Sequence, residues 1–166
     1  MFRIRDIKTN IILYLFFFNS ITFALPEDHL QKIHIIADVW NYNYKTGVTI
    51  YEGNVQVDQG TTHITADRLI TKCNNKHVIK EAIAYGLHKT AHYWTLPKPN
   101  DAIMHAYANV IKYYPLETNI TLEQNVTVLQ DKNSFQGQTI LYNMNDQTIT
   151  VPATENGRAV LVYNPD

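Results

Sequence analysis

The chain has 166 residues, a formal net charge of −1 and 45% hydrophobic residues. That is enough apolar material for one core, and the negative mean hydropathy argues against a polytopic membrane protein. No basic stripe runs through it, so it lacks the electrostatic footprint of a nucleic-acid binder.

Residues 1–24 read as a secretory signal. Arg3, Arg5 and Lys8 supply the basic start, Ile11 to Phe18 is an unbroken apolar run, and Thr22-Phe23-Ala24 places small residues before a cleavage point ahead of Leu25-Pro26. The run is short of the ~20 apolar residues that a spanning helix needs, and Asn19 and Ser20 interrupt it. A mature domain over 25–166 in an exported compartment is therefore expected, with a retained anchor as the alternative. Leu25 to Gln31 reads as a loose lead-in. Cys73 is the only cysteine, which excludes an internal disulfide.

From Ile33 onward, strand and turn signals alternate every ten or so residues, and no amphipathic helix is legible. Ile33, Ile35 and Ala37 share one parity; after Asp38 the alternation resumes one residue late, on Trp40 and Tyr42. The same slip follows Thr62, Ile64 and Ala66, which give way to Leu69 and Thr71. It follows Met104, Ala106 and Ala108, which give way to Ile111 and Tyr113. It follows Phe135 and Gly137, which give way to Ile140 and Tyr142. The copies starting at 37 and 66 return 71 residues later at 108 and 137. A slip would turn a strand inside out, so a slip at one place in every copy predicts a built-in bulge that bends the strand and keeps its apolar side inward.

Between these copies, Thr49, Tyr51, Val55 and Val57 share a parity across Gly53-Asn54, and Ile120, Leu122, Val126 and Val128 match them in the second half. Thr46-Gly47, Gln59-Gly60 and Gln130 to Asn133 are turns; Val78 to Trp94 is β-prone; Leu96 to Asp101 is an exposed connector. Gln147 to Val151 and Ala159 to Tyr163 supply the last strands, around Asn156-Gly157. The reading is an all-β fold built from two half repeats, each unable to close a core alone. The final strand ends near the C-terminus with nothing to cover it, so its unpaired edge can add another chain.

Chemistry-bearing constellations are absent. The seven histidines (29, 34, 63, 77, 88, 92 and 105) show no metal-ligand spacing, and no cofactor is implied. His88 and His92 are four apart without a helix or an HExxH setting. Asp38 and Asp67 recur with the repeat and read as bend residues rather than as paired acids.

The stretches Ile33 to Asp38, Lys45 to Val55, Gln59 to Asp67 and Gly137 to Tyr142 resemble the LptA/OstA-like family, the periplasmic bridge proteins of lipopolysaccharide export. The resemblance covers nearly all of 25–166. It implies a V-shaped, twisted β-jellyroll of about sixteen short antiparallel strands whose sheets leave an apolar slot. It implies binding of lipopolysaccharide through its lipid A part, head-to-tail stacking into a bridge between inner and outer membrane, and a periplasmic location after signal cleavage. The partners it implies are a second copy of the chain and the OstA-like domains of LptC-type inner-membrane and LptD-type outer-membrane components. Gln124 departs from the family pattern, where a glycine is usual, and Leu87 to Thr90 is longer than the usual turn.

In such a slot, parity nominates Ile33, Ile35, Tyr51, Val55, Val57, Ile64, Tyr93, Ala106, Tyr113, Leu122, Val126, Val128, Phe135, Ile140 and Tyr142 as the lipid-binding lining. Three alternatives stay open from sequence. An anchored LptC-type subunit would retain residues 1–24. A secreted β-sandwich hydrolase or sugar-binding module would show a compact core with acids and aromatics clustered on one outer face. A purely structural filament would carry no lipid.

Overall fold

The computed structural model describes residues 28–153 and 158–165. The leader expected over 1–24 and the Asn156-Gly157 turn lie outside the described residues. Among the described residues, twelve strands follow one short 3-10 turn, Asp28–Leu30. In the first half they are β1 (His34–Ile36), β2 (Val39–Asn43), β3 (Val48–Gln59), β4 (Thr62–Cys73), β5 (Ile79–Tyr85) and β6 (Ala91–Thr95). In the second half they are β7 (Met104–Ala108), β8 (Val110–Tyr114), β9 (Asn119–Gln130), β10 (Asn133–Asn143), β11 (Thr148–Thr150) and β12 (Val160–Val162).

The pairings sort these strands into two rows. One runs β1, the end of β3, the start of β4, β6, β7, the end of β9, the start of β10, then β12. The other runs β2, the start of β3, the end of β4, β5, β8, the start of β9, the end of β10, then β11. β3, β4, β9 and β10 serve both rows, so the fold is a β-jellyroll of sixteen short antiparallel segments. The half repeats join where β5 pairs with β8 and β6 with β7. Among the described residues, no pairing joins the β1/β2 edge to the β11/β12 edge.

Each phase slip sits at a bend, and β3 and β9 bend beside it where their own parity is kept. The β3–β4 register shifts between Glu52 and Val55, where Gly53 and Asn54 have φ of 78° and 47°. β9 repeats this at Gln124 and Asn125, with φ of 65° and 55°. β10 shifts between Gly137 and Thr139, and Ala37-Asp38 and Asn109 separate β1 from β2 and β7 from β8. The hydrogen bonds repeat as well. Asp38 N donates to Gly53 O (3.0 Å) and Asn109 N to Gln124 O (2.9 Å); Cys73 N donates to Gly47 O (3.0 Å) and Met144 N to Thr118 O (2.9 Å).

One core fills the space between the rows, centred on Leu69, Tyr93, Ile111, Leu122 and Ile140. From Asp28 on, the lead-in is not loose; residues 25–27 lie outside the described residues. Asp28 Oδ1 accepts from Thr61 N (2.9 Å), and its Oδ2 accepts from the Thr61 and Thr62 hydroxyls (2.7 and 2.8 Å). The local sequence hides this because the partners lie more than thirty residues on.

Candidate functional site

The fifteen parity-nominated residues all belong to this one interior. Val55, Val57, Ile64, Tyr93, Ala106, Tyr113, Leu122, Val126, Val128, Ile140 and Tyr142 are buried. Ile33, Ile35, Tyr51 and Phe135 are half-buried and pack against the others. The half-buried residues lie just before and on the edge strand β1 (Ile33, Ile35) and on β3 and β10 (Tyr51, Phe135), which they share with the buried Val55, Val57, Ile140 and Tyr142.

Among the described residues the middle of the rows shows no open slot: the gap beside Tyr93, Ala106, Leu122 and Ile140 has no room for a water. Side chains from the facing rows interdigitate, and an internal gap beside Ile33, Ile35, Val57 and Tyr113 is about 10 Å³, room for one water at most. Apolar faces brought together this way pack to interior density. The openings are at the edges instead. Trp40 pairs with Tyr51 across β2 and β3 and remains 66% exposed; Leu161 pairs with Phe135 across β12 and β10 and remains 62% exposed. Directly opposed residues share a face, so Trp40 and Leu161 extend the inner apolar surface to the two free edges. Val39, Val160, Val162 and Tyr163 add further exposed apolar surface there.

Polar groups inside the interior are tied. Tyr113 OH donates to Gln59 Oε1 (3.1 Å), and Gln59 Nε2 donates to Gln31 O (3.1 Å). Tyr93 OH points at Met144 Sδ (3.9 Å). Burial pushes the Tyr113 phenol up to about 12, with the Asp28 charge adding to it. Burial raises Tyr93 and Tyr142 as well. All three stay neutral hydrogen-bond donors at physiological pH.

The parity sets held further interior residues that the nominated lining left out. Leu69 and Ile111 followed the phase slips, Met104 preceded Ala106 and Ile120 preceded Leu122 at the right spacing; all are buried. Thr62 and Thr71, also in the parity sets, are buried, and so are Gln59 and Thr95, whose polarity concealed them. Asp38 and Asp67 are bend residues in the structure. Asn54 Nδ2 donates to Asp38 Oδ2 (2.8 Å), and Leu87 N and His88 N donate to Asp67 Oδ2 (2.6 and 2.7 Å).

The outer face of the first row carries an aromatic series. His92 stacks on Tyr107 (centroids 4.3 Å apart) and Trp94 (4.6 Å), and His63 stacks on Trp94 (4.9 Å). Asp58 supplies the carboxylate beside His63, at 2.5 Å. The paired acids of a glycosidase do not occur there. Among the described residues, no group of three or more metal-ligating side chains converges.

Residues 34–148 match the model of the LptA/(LptD N-terminal domain) LPS transport protein family. The lipopolysaccharide export system protein LptH of Pseudomonas aeruginosa is 31% identical over 79% of this chain and 74% of its own length. LptA of Escherichia coli K12 is 27% identical over 86% of this chain and 76% of its own, and LptA of Haemophilus influenzae is 27% identical over 89% and 85%. The crystal structure of LptH, described as the LptA-homologous periplasmic component of the lipopolysaccharide transport device of P. aeruginosa, superposes with a TM-score of 0.77. That match covers 84% of this chain and all of the other at 26% identity.

Proposed function

The chain belongs to the LptA/(LptD N-terminal domain) LPS transport protein family, and on that premise we propose that it is a non-enzymatic carrier that binds lipopolysaccharide by its acyl chains and passes it along a head-to-tail bridge across the periplasm. The observation that carries this reading is the continuity of the inner face. An apolar surface runs from Trp40 at one unpaired edge, through the core, to Leu161 at the other.

The energetics require such a path. Burying one acyl CH₂ is worth about 0.8 kcal/mol, so a single twelve-carbon chain costs roughly 10 kcal/mol to expose to water. Apart from the bent strands, the rows meet only through side chains. An acyl chain entering from an edge displaces side-chain contacts between the rows and leaves the backbone ladders intact. The half-buried Ile33, Ile35, Tyr51 and Phe135 meet it first, and the buried members of the fifteen line its way as the rows part.

The junction inside the chain supplies the template for assembly. β5 and β6 close the first half by pairing with β8 and β7 of the second. β11 and β12 occupy the corresponding places at the end of the second half, so they pair with β2 and β1 of a following copy. The same edges receive the OstA-like domains of LptC-type and LptD-type partners at the two membranes. The leader over 1–24 is removed on export.

The test is a photocrosslinking residue placed at Ile35, at Phe135, or at the outward-facing Thr65 as control, in cells exporting lipopolysaccharide. Adducts at the first two positions and none at Thr65 are expected. Adducts spread equally over the three, or filaments with no adduct at all, would leave a structural role in place of conveyance.

A further inference from the structure

The outer face of the first row holds a feature that lipid carriage does not use. His92 Nε2 and His105 Nδ1, on adjacent strands, lie 3.0 Å apart and share a hydrogen bond. Their rings are 5.3 Å apart and nearly parallel, at 20°. His92 is fixed by Tyr107, stacked on it at 6°, and by Trp94 at 27°. The backbone register His92↔Tyr107 and Trp94↔His105 sets the pair diagonally across β6 and β7.

We propose that His92 and His105 form a bidentate site for a square-planar or tetragonal divalent cation, Cu(II) or Ni(II), on the face turned away from the lipid path. Imidazole donors and the ordinary order of divalent affinities favour Cu(II) over Zn(II), and the spacing is compatible with it. With metal–nitrogen bonds of about 2.0–2.1 Å, donors 3.0 Å apart subtend roughly 94° at the ion. That is near the right angle of tetragonal Cu(II) or Ni(II), and well below the tetrahedral angle that Zn(II) takes in structural sites.

Binding costs no net proton. The ring that donates the hydrogen bond moves its proton to its other nitrogen, and both facing nitrogens then offer lone pairs. With 94° at the ion, each nitrogen meets it roughly 43° off the line joining the two nitrogens, so each ring turns its lone pair from the other nitrogen onto the ion. His63 is engaged by Asp58 and does not join. Water fills the remaining positions, since no third side-chain ligand converges among the described residues. The outward positions of this row carry no lysine or arginine to repel a cation.

The test is titration of the purified exported chain with Cu(II) and with Zn(II), read by calorimetry and electron paramagnetic resonance. One Cu(II) per chain is expected, with the hyperfine pattern of two imidazole nitrogens and Zn(II) at least tenfold weaker. His92→Gln and His105→Gln each weaken Cu(II) at least tenfold, and His34→Gln changes nothing. Binding that survives both substitutions, a pattern of one nitrogen or none in the unsubstituted protein, or no binding at tenfold excess would overturn the site. None of these outcomes bears on lipid crosslinking at Ile35 and Phe135.

Discussion

Gln124 occupies, 71 residues later, the left-handed bend that Gly53 occupies in the first half: φ is 65° at one and 78° at the other. Thr118 stands in the same relation to Gly47, and Asp131 to Gly60. The second half therefore holds side-chain-bearing residues in a conformation that costs roughly 1–2 kcal/mol each. Glycine gives back part of that gain through its larger unfolded-state entropy, about 0.5–1 kcal/mol. Gln124→Gly and Thr118→Gly should each stabilise the chain by ~0.5–1 kcal/mol, seen as a higher urea midpoint at unchanged slope. Gly53→Ala should act in the opposite sense, because its Cβ would lie 2.3 Å from Asp38 Oδ2.

Asp67 holds the loop after β5 against the bend of β4. Its carboxyl is lowered by the backbone hydrogen bond from His88 first, with Leu87 adding to it. Asp67→Ala leaves those two donors to water and should cost about 1 kcal/mol, discounted because the site is solvent-accessible. Asp67→Asn, which keeps an acceptor oxygen, should recover part of the loss. A carboxyl lowered on folding stabilises above its unfolded pKa and ceases to do so as pH falls through the folded value. Acid titration of Asp67→Ala should therefore lose this component of the wild-type acid transition.

The bends were readable because a one-residue slip in apolar parity has one physical remedy, and the chain writes that slip four times. The interior was readable for the same reason. The polar interior members outside those parity sets, Gln59 and Thr95, were not, nor were the partners that any of them meets. Gln59, Thr62 and Thr95 are tolerated inside because Tyr113, Asp28 and Thr61 meet them from elsewhere in the chain, and periodicity says nothing of partners that distant. Nor does it register that the rows close on each other. Parity assigns Val126 and Phe135 alike to the inner face, whereas only the assembled rows separate the middle from the edges. The His92–His105 pair was invisible because the residues are thirteen apart on strands whose register is set by the fold.

His92 is the group that makes this outer face sensitive to acid. Burial, with the neighbouring His105 charge adding to it, lowers its pKa from 6.5 to about 4. The unfolded chain then binds the proton more readily, so stability falls as pH drops from about 6.5 toward 4 and levels off below. After discount for solvent at a half-exposed ring, the loss is on the order of 1 kcal/mol. His92→Phe should flatten the urea midpoint across that window while keeping the stacking with Tyr107. A midpoint that declines as steeply in the variant would place the acid sensitivity elsewhere.

Substitution of the inner face should split by position. Val126 is 2% exposed in the middle of the rows. An aspartate there has no hydrogen-bond partner and must be desolvated, at a cost of several kcal/mol. That consumes much of the ~5–15 kcal/mol that holds a domain folded, so Val126→Asp should lose the cooperative unfolding transition, and its failure to load lipid would report misfolding. Leu161→Asp is different. At a 62% exposed edge position the charge stays in water and the fold tolerates it, with a change in stability within about 0.5 kcal/mol. In an assembled bridge the same residue would be covered by the next copy, so the charge would be buried only on stacking. Leu161→Asp should therefore keep the wild-type urea midpoint and remain monomeric at concentrations where the parent chain forms oligomers in analytical ultracentrifugation. Oligomers of undiminished size in that variant would remove β12 from the stacking surface.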